Sequence, residues 1–394
     1  MKRQRNKSPL RLTRDAEKLI AFSTGLASSG SRTEDRYWEN AIVNLAGRLL
    51  ASGNDAALES ALENTFKSNL PAHETLIEFV EAAAESTTVT IDGKQWDLLL
   101  IAIPLVAWSK YAVPSGAIPR ESVDSIVPHL HGHILAADAR TCMAPFLYSI
   151  DQMPRDFSGV HKLGLKLGEA AIAGTTPRFD FAKLPETAPL LADCRFLLAS
   201  VVVPVGTAMF RWQETEQHTT RAECLERWIL QCRPNLARLL PGCAFECLLP
   251  DAYFVNCRES DRHVRPYAIR AGVAFLETAL KTSASQLHAV IAGFGDERVD
   301  EFRIGFLQKG RDEIVHGVVW PLFGREDDDA PTAPADEVDA ILRDCKVGEI
   351  TKLNELFKPE YCEDCGAPLF ADTDGDVSHP ELPEEADVAA AHYH

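Results

Sequence analysis

Leu98-Leu99-Leu100-Ile101-Ala102-Ile103-Pro104-Leu105-Val106-Ala107-Trp108 is an apolar run broken by one proline, and its surroundings recur twice further along the chain. The run is followed by an amphipathic phrase over residues 119–127 and then by Cys142-Met143-Ala144-Pro145-Phe146. Residues 314–323 (IVHGVVWPLF) are followed in the same way by residues 334–342 and by Cys365-Gly366-Ala367-Pro368-Leu369. The helix phrases match position by position: Val123-Asp124-Ser125-Ile126-Val127 against Val338-Asp339-Ala340-Ile341-Leu342, each with a proline four positions upstream. A more diverged copy runs from residues 197–204 through 225–229 to Gly242-Cys243-Ala244-Phe245. Repetition on this scale dictates architecture and leaves the chemistry open.

Working outward, residues 89–91, the turn pair Asp92-Gly93 and the strand from Trp96 read as a hairpin. Phe302, Ile304 and Phe306 alternate on a strand that turns at Lys309-Gly310 and returns through residues 314–323. Each unit then reads helix, strand, strand, helix, strand. The expected fold is α+β: an N-terminal helical module followed by three tandem α-β-β-α-β repeats, built as ferredoxin-like sandwiches. Four helical segments precede the repeats, at residues 12–26, 37–50, 56–66 and 74–84, each bounded by cap or breaker residues. The expected organisation is a basic arm (1–11), the helical module (12–70), repeat unit one (71–150), unit two (151–255), unit three (256–370) and an acidic tail (371–394). Pro104, Pro204 and Pro321 would mark one shared kink. It would re-aim Trp108, Phe210 with Trp212, and Phe323 toward a common surface, with plain core packing as the alternative.

The chain has 394 residues, 46% of them hydrophobic and 25% charged, enough for a sizeable core. The first fifteen residues are nearly all polar and no apolar run approaches the roughly 20 residues of a bilayer span, so the expectation is a soluble, cytoplasmic protein with no membrane partner. Ten cysteines, mostly within apolar segments, read as reduced small hydrophobes. A net charge of −18 argues against broad nucleic-acid binding. Only the basic arm (Lys2, Arg3, Arg5, Lys7, Arg11, Arg14) could touch RNA or another anionic partner, and a solvated tail is its plainer reading.

Cys362-Glu363-Asp364-Cys365-Gly366 has the spacing of a metal knuckle, in which two thiolates meet one ion while backbone amides approach the sulfurs. His379 is near enough in sequence to be a third ligand. Cys345, His392 and His394 are the candidates for a fourth. One structural zinc ion is the cofactor this spacing could hold, with an unmetallated surface turn as the leading alternative and a redox pair as the third. A second cluster, Arg258, Asp261, Arg262, His263, Arg265 and Arg270, precedes the apolar stretch 271–280 and offers fork-shaped donors to a phosphate or carboxylate, or else pairs internally with acids. His316, within a strand, is a core histidine or a general base. His129, His131 and His133 alternate and could meet a metal if extended. Asp372-Thr373-Asp374-Gly375-Asp376 places its glycine wrongly for a calcium loop and reads as an acidic turn. No nucleophile elbow, phosphate-binding loop, His-Glu-x-x-His or dinucleotide fingerprint occurs.

The phrases Ser29-Gly30-Ser31-Arg32 with Glu34-Asp35-Arg36, Pro114-Ser115-Gly116, Pro250-Asp251-Ala252-Tyr253-Phe254, His316-Gly317-Val318-Val319-Trp320-Pro321 and Cys365-Gly366-Ala367-Pro368-Leu369 resemble those of an uncharacterised betaproteobacterial family, domain of unknown function 2863. The resemblance spans residues 12–385 and implies a cytoplasmic bacterial protein, without an activity or a catalytic residue. Two function classes follow: a non-enzymatic binding or scaffold protein, whose partner is a protein or an anionic small molecule, and an enzyme working between repeat units with Arg262, His263 or His316 on an anionic small molecule.

Overall fold

The computed structural model describes residues 12–109, 112–187, 190–214, 218–323, 332–384 and 386. Residues 1–11, His392, His394 and most of the stretch after Glu384 lie outside the described residues; Arg14 begins the first helix, and residues 371–384 of the expected acidic tail are described.

The helical module forms α1 (Arg14–Ala27), α2 (Arg32–Ser52), α3 (Asp55–Ser68) and α4 (Leu70–Glu85). Thr13, Ser31 and Asn69 cap α1, α2 and α4 through their side chains, and Gly53 closes α2 in the left-handed conformation, φ 71°. Next comes the hairpin β1 (Ser86–Ile91) and β2 (Lys94–Trp108), whose turn residues Asp92 and Gly93 both take positive φ. Then follow β3 (Gly116–Ala117), α5 (Arg120–His133), β4 (Arg140–Met143), β5 (Phe146–Ser149), α6 (Phe157–Ala173), β6 (Ala192–Pro204), α7 (Arg221–Leu236), β7 (Ala244–Cys247), β8 (Asp251–Ala252) and α8 (Tyr253–Ala279).

β2 and β6 lie at the centre of an eight-stranded sheet, antiparallel and in continuous register from Trp96 opposite Pro204 to Trp108 opposite Ala192. Both faces of this pair are covered. Leu100, Ala102 and Val106 with Cys194, Phe196 and Leu198 face the helical module, α6 and the start of α8. Ile101, Ile103 and Leu105 with Leu197, Ala199 and Val201 face α5 and α7. Double burial is why these strands read as unbroken apolar runs with no alternation.

The first two repeat units therefore do not fold as separate sandwiches. β4, from the first unit, pairs with residues 199–202 of β6, and β7, from the second, pairs with residues 105–108 of β2. Each unit's closing strand completes the other unit's long strand. In this correspondence Pro104 matches Leu198, which removes the shared proline kink. Pro104 sits in mid-strand, where its carbonyl accepts from Leu248 N and its missing donor falls in the gap between the β7 and β8 ladders. Pro204 and Pro321 end their strands. The aromatics diverge as well: Trp108 stacks on Tyr267, Phe210 stacks on Trp212, and Phe323 lies under Arg265.

The C-terminal third builds a second sheet, ordered β11-β10-β9-β12, from β9 (Leu287–Phe294), β10 (Glu301–Gln308), β11 (Ile314–Pro321) and β12 (Glu349–Phe357), with α9 (Pro334–Asp344) before β12. The matched phrases lie on like elements, since residues 123–127 fall in α5 and 338–342 in α9. The closing phrases do not match. Cys142 is in β4, opposite Ser200 of the first sheet, while Cys365 is on an exposed turn beyond β12. α9 and the second half of α8 cover one face of this sheet. Phe370 and Ala371 cover the other.

Candidate metal centre

The site is made by two small hairpins that follow β12. In the first, Tyr361 and Pro368 bridge antiparallel, Cys362 N donates to Ala367 O (2.8 Å), and Gly366 N donates to Cys362 O (2.9 Å). Gly366 takes φ 75°, which a residue with a Cβ adopts only under strain. This tight turn aims the backbone N–H groups of Cys365 and Asp364 at Cys362, and those donors hold its thiol below the usual cysteine range. In the second hairpin β13 (Phe370–Ala371) pairs with β14 (Val377–Ser378). Asp372 closes its turn by accepting from the N–H groups of Asp374 and Asp376, each at 2.9 Å. The acidic stretch is thus a self-bonded turn, as its spacing implies.

β14 returns the chain so that His379 Nε2 lies 3.3 Å from Cys365 Sγ. The ligand atoms of Cys362, Cys365 and His379 all fall within 4.8 Å of one another. Tetrahedral zinc with bonds of about 2.0 to 2.3 Å requires ligand atoms roughly 3.5 Å apart, so small adjustments would seat an ion. Among the described residues no fourth ligand joins the group. Cys345, at the end of α9, packs into the helix-side core and has its thiol pushed up by burial. On the far side of His379, Nδ1 lies 4.0 Å from Glu381 Oε1, a contact longer than a hydrogen bond.

Arg303 anchors this assembly to the sheet, and sequence reasoning passed it over because an arginine in mid-strand carries no motif. It is fully buried in β10. Its Nη1 donates to Glu360 O (2.8 Å) and Leu369 O (2.7 Å), the two ends of the first hairpin, and its Nε donates to Glu301 at 2.7 Å. The guanidinium lies over the Phe294 and Tyr361 rings.

The arginine cluster is elsewhere, inside α8 and not at its mouth. Arg258 Nη1 contacts both carboxylate oxygens of Glu81 at 2.7 Å. Arg262 pairs with Glu259, Arg270 with Asp344, and His263 is exposed. Arg265 is buried. It donates to Pro321 O and also to Arg262 O, the carbonyl that Pro266 leaves without its helical N–H donor. The structure does not bring these groups together around a common anion position. His316 is buried in β11 beside Gly272 and Phe275 of α8. His129, His131 and His133 lie on helix α5 and not on an extended segment, so they do not alternate; His129 and His133 stack one turn apart.

A family model described as a protein of unknown function, DUF2863, matches residues 4–393. The chain belongs to the DUF2863 family. Among curated proteins and solved structures nothing matches this DUF2863 chain. Among the described residues, no helix is long and apolar enough to cross a membrane.

Proposed function

We propose that this DUF2863 protein is a non-enzymatic cytoplasmic binding or scaffold protein whose C-terminal hairpins hold one structural zinc ion through Cys362, Cys365 and His379. The observation that carries the zinc reading is the convergence of a knuckle turn and a separate hairpin on one point, with Cys362 already biased toward the thiolate by backbone donors. The Cys365-to-His379 approach links residues fourteen apart, so an ion there would tie the returning segment to the turn. That segment continues over the edge of the second sheet, where Glu381 N donates to Ile314 O and Leu382 packs on the helix-side core. A metal at this point would act as a clasp, contributing folding free energy locally.

The scaffold reading is supported by the state of the singled-out cations, which are engaged in ion pairs, carbonyl contacts or ring stacking and not gathered about a reaction centre. Its partner would be a protein or an anionic small molecule. A relation between the first two units and the third is supported only by the matched helix phrases on α5 and α9. The deciding experiment is elemental analysis of purified protein, expected to give about one zinc per chain, with Cys362→Ser lowering it below about 0.2. Protein free of zinc, with a melting curve indifferent to Cys362→Ser and to chelator, overturns the metal reading.

A further inference from the structure

Between α6 and β6, residues 175–187 form a strap whose only regular piece is one short turn, Phe181–Lys183. The strap is pinned near both ends. Towards its start, Lys166 Nζ donates to Arg178 O and lies 4.1 Å from the centre of the Phe179 ring. Towards its end, Gln152 Nε2 donates to Pro185 O (3.1 Å) and Thr187 Oγ1 donates to Ser149 Oγ (3.0 Å). A cavity of about 570 Å³ lies between the strap, β5 and the first turns of α6. This volume is within the range of small-molecule sites, about 300 to 1,000 Å³.

The lining is mostly aromatic and aliphatic. Phe179 and Phe181 are half-buried there, their ring centres 5.2 Å apart and their planes within 10° of parallel, with Met153 and Leu163 beside them. Its acids are each matched to a cation, Asp151 to Arg155 (3.4 Å) and Asp180 to Lys183 (2.9 Å). Gln152 is committed at both atoms, since its Oε1 accepts from Ser149 N while its Nε2 holds the strap. Tyr148 is different. It is 4% exposed and lines this cavity. Among the described residues its hydroxyl has no hydrogen-bond partner, and it is not sealed away from solvent. Burial pushes the phenol up, so it keeps its proton and stays a donor. A buried donor without an acceptor costs free energy that an acceptor on a ligand would recover.

We propose that this cavity binds a small, neutral, planar aromatic compound carrying a carbonyl group, with the carbonyl oxygen accepting from the Tyr148 hydroxyl and the ring against Phe179, Phe181 and Leu163. The carbonyl supplies the acceptor that Tyr148 lacks, and the ring removes apolar wall from water. A charged compound of the same shape would have to break one of the ion pairs or remain unpaired in an apolar site. The cavity belongs to the first sheet, apart from the hairpins proposed to hold zinc, so its occupancy is independent of the metal.

The test is an NMR titration of the full chain at neutral pH with acetophenone, with benzoate, and with α-methylstyrene, which puts a methylene group in place of the carbonyl oxygen at nearly the same shape. Acetophenone is expected to bind, and benzoate at least about tenfold more weakly. Tyr148→Phe should weaken acetophenone at least about fivefold and leave α-methylstyrene unchanged or tighter, because only the carbonyl uses the hydroxyl. Since that hydroxyl has no protein partner, the variant should melt like the wild type. Phe179→Ala should weaken both neutral probes. The infrared carbonyl stretch of acetophenone bound to the wild type should lie below its value in a hydrocarbon solvent, a reading that stands without either variant. Absence of acetophenone binding up to about 5 mM overturns the proposal. So does an unshifted carbonyl stretch, a Tyr148→Phe variant that weakens both neutral probes equally or neither, or benzoate binding as tightly as acetophenone.

Discussion

Gly317 shows how closely the C-terminal segment is fitted to the second sheet. A Cβ at this position would lie 2.2 Å from the Phe370 ring, so the far end of the ring fills the space that the glycine leaves open. Phe370 is buried there with Val290, Leu307 and Ile314. Gly317→Ala should displace the ring and cost about 1 to 3 kcal/mol, and Phe370→Leu in the same chain should recover part of that loss. Urea unfolding of the two single variants and the double variant measures the coupling; strictly additive losses would show that the ring does not depend on the glycine. Cys362→Ser belongs to the same scale. It removes a thiol whose ionisation two backbone donors favour. With zinc present, amide exchange should speed up across residues 361–379 while β2 and β6 remain protected.

Among the elements, Arg303 and β12 mark what the sequence made legible and what it hid. The four N-terminal helices were readable because each carries periodic apolar residues between cap and breaker residues, and Asp92-Gly93 announced its hairpin through a turn that needs positive φ. The knuckle and His379 were readable because their spacing is local. β12 was not: Glu349 to Phe357 is largely exposed, its side chains alternate poorly, and it is held by parallel pairing to β9, which leaves no local signature. α8 was read only in its second half, since the charged stretch around Pro266 resembles a loop while in fact Arg265 supplies the carbonyl partner that the proline removes. The exchange of closing strands between the first two units is likewise a matter of long-range pairing, invisible to any window of the sequence. Arg303 joins the hidden and the visible parts. Arg303→Met keeps much of the stem packing but deletes the donors to Glu360 O and Leu369 O and strands Glu301, so we expect a loss of about 3 kcal/mol and weaker zinc retention against a chelator. Unchanged zinc retention in a folded Arg303→Met protein would separate the anchor from the metal site.

At the scale of the whole molecule, α8 is the member that joins the parts: its first half packs on the first sheet and the helical module, its second half on the second sheet. The contact with the helical module has a polar part beside its apolar one. Glu85, at the end of α4, accepts from Phe254 N at 2.9 Å, and Glu81, one turn earlier, holds Arg258. Burial, with a smaller push from the Glu81 charge, raises the Glu85 carboxyl from its ordinary 4.5 to about 7, against the opposing pull of the Phe254 and Tyr253 amides and of Arg258. A carboxyl whose folded value lies above its unfolded one binds its proton more tightly in the native state. Its stabilising contribution is therefore complete below pH 4.5 and is lost as pH rises through 7. The shift corresponds to about 3 kcal/mol between those limits. Asp261, raised to about 6 at the other side of α8, acts in the same direction, so the wild-type profile alone cannot apportion the effect. Glu85→Gln can, because the amide retains an acceptor for Phe254 N and does not ionise. The difference in unfolding free energy between wild type and Glu85→Gln should tilt toward the variant by about 3 kcal/mol between pH 4 and pH 8, most of it above pH 5. A difference that stays flat across that range would mean that Glu85 is hydrated, and that α4 and α8 meet less tightly than their hydrogen bond implies.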